Sequence, residues 1–279
     1  MTQPRLEPFF LNTSRGRIFL LLRAPGEAAS VQRCVLFVPA FAEEMNKCRR
    51  QVTETTNALV ANGLSALVVD LYGTGDSEGE FSAATWDGWK SNIDTAMAWA
   101  GRAGLPIEGL VATRLGCALA AESLRDTGRN VQRTVFWQPV HIGRQYITQF
   151  LRLRVTASMM EGDAKETVDG LKARLNCGER LEVAGYELPP ELWRAIENIE
   201  LSASLSDSLG QLRLVEVGRA RDGELSVVGR RLVDAAQERD IDTSGVHISG
   251  EPFWSTTEIV VNPELTELTV QFLSQAEQS

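Results

Sequence analysis

The fold is decided by one stretch of the sequence, IEGLVATRLGCALAAESLRDTG, which spans residues 107–128. It begins as an apolar run typical of a buried β-strand and continues as small residues typical of a helix. The two join directly at ATRLG, residues 112–116, without a connecting loop. Small side chains at Ala112 and Gly116 would let such a sharp turn pack tightly. The pattern therefore predicts a strained strand-to-helix turn with Arg114 at its centre.

Short apolar runs and amphipathic helical stretches alternate on both sides of this turn. Such alternation predicts an α/β fold, with βαβ units that build a mostly parallel central sheet flanked by helices. The expected elements are a hairpin at 9–24, strands at 34–40, 64–73, 107–114, 131–140, 211–218 and 244–249, and helices at 49–62, 84–103, 115–128, 224–239 and 262–275.

The alternation stops after the sixth strand. Residues 141–210 lack strong buried strands and contain a stretch of basic and apolar residues with helical spacing, YITQFLRLRVTASMM. This predicts an inserted cap at 141–210, on a core formed by residues 1–140 and 211–279. The apolar stripe of that predicted helix would pack inside the cap, or it would offer a surface to lipid-linked or anionic glycan substrates.

Charge and composition exclude several classes of protein. The 279 residues include 28 Lys and Arg against 37 Asp and Glu, a net charge of −9. A general nucleic-acid or anionic-membrane binder needs a basic face, so neither partner is expected, although a local basic pocket stays open. The sequence contains no run of about 18 apolar residues, so no transmembrane segment is expected.

The location and the cofactors follow from what the sequence lacks. Its start has no basic region followed by an apolar stretch, and its four cysteines show no paired spacing. We therefore expect no secretory signal, reduced thiols and a cytoplasmic protein. Ligand spacing for a metal and the lysine of a phosphate-binding loop are also missing, so no metal and no cofactor are expected. An oligomer stays open.

A catalytic serine is missing from the turn at Arg114. An α/β-hydrolase places G-x-S-x-G at such a turn, with the nucleophile at its centre. Arginine stays protonated and cannot attack a substrate. The histidine base of that fold would follow the last strand, but the loop at 249–262 carries Phe253 and Trp254 and no histidine. Asp222 matches the position of the acid, but a solvated loop aspartate is the favoured interpretation.

An acidic pair is expected to face Arg114. Glu43 and Glu44 lie in the predicted loop after the first central strand, which supplies oxyanion donors in α/β-hydrolases. Three interpretations stay open: the charges lock the loop, Arg114 grips a carboxylate or phosphate ligand, or a glutamate acts as general base while Arg114 stabilises negative charge. The lock would consist of Glu43, Glu44, Asn46, Arg49 and Arg50.

Aromatic side chains at strand ends complete the candidate pocket. They would stack against a sugar or acyl group, or they would fill the pocket of a protein that no longer turns over a substrate. One nucleophile–base pair, Cys48 with His141, is also available, but a small buried thiol near a helix start is the favoured interpretation of Cys48. No catalytic residue is assigned. The predicted ligand-binding set is Phe41, Glu43, Glu44, Asn46, Arg114, Leu115 (through its backbone amide), Trp137 and Trp254.

Several segments together resemble one family, the exosortase A system-associated hydrolase 2 group of the α/β-hydrolase superfamily. The resemblance covers nearly the whole chain, and its most specific part is the loop with Glu43 and Glu44. It implies an α/β-hydrolase fold and a link to bacterial exopolysaccharide and PEP-CTERM sorting loci. It also implies arginine at the centre of the strand-to-helix turn 112–116, which we call the elbow. The segments are VPAFAEEMNKCRR (38–50), VDLYGTGDSEGEF (69–81), VATRLGC (111–117), VFWQPV (135–140) and QFLRLR (149–154).

Two functions follow as hypotheses. The first is an unconventional or lost hydrolase of ester or acyl type in an exopolysaccharide or PEP-CTERM system. The second is a non-catalytic binding or scaffold protein in which Arg114 holds an anionic ligand or a partner. The missing serine and histidine oppose the first, and the arginine and aromatic side chains favour the second.

Overall fold

A computed structural model shows a chain built around a central β-sheet. It describes residues 4–26, 33–161, 166–219 and 223–275. Ten strands are assigned within those residues, eight of them in the central sheet. The strands are β1 (Arg5–Asn12), β2 (Arg17–Ala24), β3 (Cys34–Val38), β4 (Ser65–Val69), β5 (Ile107–Thr113), β6 (Arg133–Trp137), β7 (Leu181–Val183), β8 (Tyr186–Leu188), β9 (Gln211–Gly218) and β10 (Thr243–Ser249).

Helices connect and cover these strands. Their sequence signals include the predicted cap at the start of the last helix, where the Asn262 side chain accepts a hydrogen bond from the Leu265 amide at 3.1 Å. The helices are α1 (Glu43–Ala61), α2 (Trp86–Arg102), α3 (Gly116–Thr127), α4 (Gly143–Glu161), α5 (Val168–Asn176), α6 (Pro190–Glu197), α7 (Leu201–Ser204), α8 (Val227–Gln237) and α9 (Pro263–Ser274).

The eight-stranded sheet has the order β1-β2-β4-β3-β5-β6-β9-β10. β1 and β2 form the predicted hairpin, β2 runs antiparallel to β4, and all later neighbours in the sheet are parallel. Strands β3 and β6 are buried throughout, as expected for parallel strands covered on both faces. The predicted mostly parallel sheet flanked by helices is confirmed.

Alternate residues of each central strand enter two separate hydrophobic cores. Leu36 and Leu110 belong to the core that contains α2 and α3. Phe37 and Val111 belong to the core that contains α9 and the inner face of α1. Helices therefore cover both faces of the sheet, and the carboxyl ends of β3, β5, β6 and β9 meet at one edge.

The start of α1 differs from the sequence prediction. A helix was expected from residue 49, but α1 begins at Glu43, so Glu43, Glu44 and Asn46 lie in its first turns and not in a loop. No side chain caps this helix. Ala42 turns the chain with a φ of 51°, and the Glu44 amide donates to the Phe41 carbonyl. Because the usual capping residue is missing, the sequence did not indicate this start.

The segment between β6 and β9 holds helices α4 to α7 and a small hairpin. That hairpin pairs β7 with β8 in antiparallel register, and each strand has three residues. Its inward side chains, Leu181, Val183 and Leu188, are fully buried. In the described part of the chain, no helix is both long enough and apolar enough to cross a bilayer.

Candidate functional site

The turn between β5 and α3 places Arg114 at the carboxyl edge of the sheet. Arg114 adopts a φ of 56°, which is uncommon for a residue with a side chain. Its amide donates to the Trp137 carbonyl at 2.9 Å, so β6 supports the turn. A Cβ atom at Gly116 would lie 2.2 Å from the Pro39 carbonyl oxygen, so this position requires glycine. The strained turn predicted from the sequence is present.

The Arg114 side chain forms a buried ion pair with Glu44. Its Nε and Nη2 atoms donate to Glu44 Oε1 at 3.2 and 3.1 Å. Its Nη1 atom donates to the Gln138 carbonyl at 3.1 Å. Only 14% of the arginine side chain and 11% of the glutamate side chain are exposed. All three guanidinium nitrogens thus have partners within the protein.

Helix α4 contributes the next partner of Glu44. The Tyr146 hydroxyl donates to Glu44 Oε2 at 2.9 Å, so both carboxylate oxygens accept hydrogen bonds. Burial raises the pKa of the Glu44 carboxyl, against the opposing effects of the Arg114 charge and of these hydrogen bonds. Burial and the neighbouring Glu44 charge raise the pKa of Tyr146 as well. The tyrosine therefore serves here as a neutral donor.

Two aromatic rings cover the guanidinium of Arg114. Its Cζ atom lies 5.0 Å from the centre of the Trp254 ring and 5.7 Å from the centre of the Tyr146 ring. Both distances fall within the range of a cation–π interaction. Together with Glu44, these rings separate the arginine from solvent.

The remaining predicted aromatic side chains are packed rather than open. Trp137 is fully buried, and its indole nitrogen donates to the Thr269 hydroxyl at 3.0 Å. The Phe253 ring packs edge-on between Trp137 and Trp254, at centroid distances of 6.2 and 5.2 Å. Of the two interpretations left open by the sequence, this geometry fits aromatic side chains that fill the pocket.

Little space remains beside Phe41 and Leu115. The Phe41 ring packs edge-on against Phe81, Tyr146 and Phe150, with the Phe150 centroid at 5.1 Å. A cavity of about 10 Å³ borders Phe41 and Leu115. A single water molecule needs about this much room, so an acyl group does not fit there without movement of the side chains.

The other polar residues predicted near the turn at Arg114 lie in α1, and one of them, Asn46, joins this helix to β8. Asn46 donates to the Tyr186 hydroxyl of β8 at 3.1 Å and accepts from Arg49 Nε at 3.3 Å. Arg50 pairs with Glu54 one turn along the same helix. Glu43 Oε2 is buried with no hydrogen-bond partner among the described residues, and burial raises the pKa of this carboxyl.

Solved structures supply the comparison for this fold, since no model of a protein family and no curated protein sequence matches the chain. Est1E from Butyrivibrio proteoclasticus with ferulic acid bound is similar, with a TM-score of 0.68 and 14% identity over 95% of this chain and 97% of that one. An esterase domain from Rhodothermus marinus has a TM-score of 0.60 and 14% identity over 97% and 96% of the two chains. An α/β serine hydrolase homologue from Coxiella burnetii has a TM-score of 0.57 and 14% identity over 97% of both.

The chain has the α/β-hydrolase fold. In that fold the turn after β5 carries the nucleophile, and here Arg114 occupies it. The loop after β10 carries Phe253 and Trp254 where the fold places its histidine. Asp222, at the position of the acid, lies outside the described residues.

Other polar candidates of this α/β-hydrolase fold have ordinary structural roles. The Ser77 hydroxyl donates to the Asp70 carbonyl at 2.6 Å and accepts from the Phe19 amide at 2.8 Å, as expected of a turn residue. Burial raises the pKa of the Cys48 thiol, and no hydrogen bond joins it to His141 in the described structure. The described residues contain no group of three or more His, Cys, Asp or Glu side chains placed to hold a metal ion.

Two residues that donate to or accept from the Arg114–Glu44 pair, Tyr146 and Gln138, were not predicted from the sequence. Tyr146 lies in the stretch that was expected to pack the cap or to offer a surface to lipid-linked or anionic glycan substrates. Gln138 follows β6 with a φ of 44°, and its side chain accepts from the Val217 amide at 2.7 Å. A polar residue directly after a buried strand was the one available signal for Gln138. Nothing in the local sequence pairs Tyr146 with Glu44.

Proposed function

We propose that this protein is a lost hydrolase of ester or acyl type that now acts as a non-catalytic binding or scaffold protein. The observation that carries this proposal is the closure of Arg114 onto Glu44 at the position of the nucleophile. The resemblance to the exosortase A-associated hydrolase 2 group supports a role in bacterial exopolysaccharide and PEP-CTERM systems.

The chemistry of the residues opposes turnover at the elbow. A guanidinium with a pKa above about 12 can neither attack a carbonyl nor accept a proton. The sequence offers only His141 and His247, and neither lies in the loop after β10. An acyl group would also meet the packed rings of Phe41 and Trp254. Both the nucleophile and the space for a substrate are therefore missing from the proposed site.

We propose further that residues 141–210 act as a cap over this edge of the sheet. Three contacts support this interpretation: Tyr146 with Glu44, Phe150 with Phe41, and Tyr186 with Asn46. An anionic or acyl/glycan ligand at Arg114 would have to displace Glu44. In this proposal the functional surface is therefore the cap or a protein-binding face, and the elbow stabilises the fold.

One observation favours a second candidate, hydrolysis with Glu44 as general base. Burial raises the pKa of this carboxyl, and a general base works best when its pKa lies near the working pH. Arg114 would then stabilise developing negative charge. Against this, both oxygens of Glu44 already accept hydrogen bonds from Arg114 and Tyr146. A water molecule could reach Glu44 only if one of these bonds broke.

Hydrolysis of p-nitrophenyl acetate and butanoate, together with labelling by a fluorophosphonate, tests both candidates. We expect no turnover above the buffer rate and no labelling, for the natural protein and for Arg114→Ser, because the serine would have no base. Turnover that Glu44→Gln abolishes would establish the second candidate. Turnover that persists in both Glu44→Gln and Arg114→Ala would overturn the proposal and place the active site elsewhere.

A further inference from the structure

A second cavity lies beneath α1, apart from the elbow. It has a volume of about 120 Å³ and lies between α1 and the edges of β2, β3 and β4. Its walls are mostly apolar and include Leu21, Phe37, Met45, Val52 and Val68. Neither Arg114 nor Glu44 lines it. An apolar cavity with a few convergent polar groups is the usual form of a small-molecule site.

Three charged side chains also line this cavity: Arg23, Arg49 and Asp70. Arg49 Nη2 lies 3.3 Å from Asp70 Oδ2, so these two charges form a pair. The same oxygen of the buried Asp70 accepts from the Asp76 amide at 2.9 Å. Two positive charges and one negative charge therefore leave one uncompensated positive charge, on Arg23.

Among the described residues, no carboxylate forms an ion pair with Arg23. Its Nε atom is buried and has no hydrogen-bond partner among the described residues. Its Nη1 atom donates to the neutral Asn57 side chain at 3.0 Å, and burial lowers the pKa of the guanidinium. Buried donors such as this Nε atom normally have a hydrogen-bond partner in proteins. A donor that is unsatisfied in a cavity wall fits a ligand that supplies the acceptor.

We propose that this cavity binds a small monocarboxylate with an apolar body, whose carboxylate accepts from Arg23 and whose body fills the space under α1. A cavity of about 150 Å³ holds benzene, so this smaller one suits a carboxylate with about four to six carbon atoms. A second negative charge on the ligand would meet Asp70, so a dicarboxylate is disfavoured. The proposal does not depend on the role of the elbow.

Binding of pentanoate and butanoate, measured by isothermal titration and by ligand-observed NMR, tests this site. Pentanol and butanol are the neutral controls. Arg23→Met removes the charge and keeps the length of the side chain, while Arg50→Met is the matched control on the exposed face of α1. Val52→Phe fills the cavity and leaves Arg23 in place. Circular dichroism and thermal unfolding establish that each variant is folded.

We expect at least one carboxylate to bind the natural protein with one-to-one saturation. Its binding should be weaker by a factor of ten or more for Arg23→Met and for Val52→Phe, and unchanged for Arg50→Met. The neutral alcohols should bind at least tenfold more weakly than the matching acids. Without ligand, Arg23→Met should unfold at the same or a higher temperature, since it removes an unsatisfied buried donor. Absence of binding by both carboxylates, or equal binding by Arg23→Met, would overturn the proposal, whatever the ester assays show at the elbow.

Discussion

The Arg114 guanidinium donates two hydrogen bonds to a single oxygen of Glu44, from Nε at 3.2 Å and from Nη2 at 3.1 Å. The pair joins the turn after β5 to the first turn of α1. In the α/β-hydrolase fold, these two segments supply the nucleophile and part of the oxyanion hole. The same two segments are therefore connected here by an ion pair that occupies the place of the reacting groups.

The strength of this pair can be measured with a double-mutant cycle. Arg114→Met and Glu44→Leu each leave a buried partner unpaired, so each should lower the free energy of unfolding by about 3 kcal/mol. The double variant should lose less than the sum, with a coupling energy of about 2 kcal/mol. Chemical denaturation of all four proteins gives these values.

The pair Arg50–Glu54 is the matched control for this cycle. It lies on the same helix with 59% and 36% of its side chains exposed, so its coupling energy should be only about 0.4 kcal/mol. If the coupling of Arg114 with Glu44 does not exceed that of the exposed pair, the buried pair does not stabilise the elbow.

The elbow should be sensitive to the size of residue 116. Gly116→Ala would place a Cβ atom 2.2 Å from the Pro39 carbonyl, so the free energy of unfolding should fall by at least about 2 kcal/mol. Gly101→Ala is the control, because its Cβ meets nothing within 4 Å inside α2. That variant should be more stable than the natural protein by several tenths of a kcal/mol, about what helix propensity gives. Equal effects of the two substitutions would contradict the close packing of this turn.

Thiol chemistry should distinguish one cysteine from the other three. Cys34, Cys48 and Cys117 are buried, whereas Cys177 is exposed. Burial raises the pKa of the Cys34 thiol to about 12 and also raises that of Cys48, so neither forms a reactive thiolate near neutral pH. Ellman's reagent should therefore titrate one thiol in the native protein and four after unfolding. Cys177→Ser should remove the fast reaction; a fast reaction that Cys48→Ser removes instead would support Cys48 as a nucleophile.

Protonation of His141 should lower the free energy of unfolding as the pH falls. Burial lowers the pKa of this imidazole below its ordinary value of 6.5. The unfolded chain therefore takes up the proton first as the pH falls below 6.5, and the folded state loses stability until the lowered pKa is reached. In urea unfolding at pH 7.5 and 5.5, His141→Gln should lose less stability than the natural protein. Identical losses would show that His141 titrates alike in both states.

The order of strands and helices could be predicted from the sequence because the signals are local. Apolar runs such as 34–38 and 65–69 stand out from the amphipathic stretches that follow them. The start of α1 could not be predicted, because the positive φ of Ala42 and backbone hydrogen bonds set it without a capping side chain. Tertiary packing of the first turn replaced the usual signal.

The approach of Glu44 to Arg114 could be predicted in the same way, but the contact of Tyr146 could not. Glu44 and Arg114 follow strands that end at the same edge of the sheet, so their approach is a consequence of topology. The hydroxyl of Tyr146 reaches Glu44 from α4, and its position depends on how the segment after β6 folds back over the sheet. No short-range pattern encodes that return. The unsatisfied Arg23 was missed for the same reason, since its cavity exists only once α1 packs on β2.

A crystal structure of the protein soaked with phosphate and acetate tests the central claim most directly. We predict that Arg114 Nε and Nη2 stay within hydrogen-bond distance of Glu44, that the Trp254 ring stays against the guanidinium, and that no anion lies at Arg114. Glu44 displaced from Arg114, with a soaked anion held by the guanidinium in its place, would contradict it and would establish the elbow as an anion-binding site.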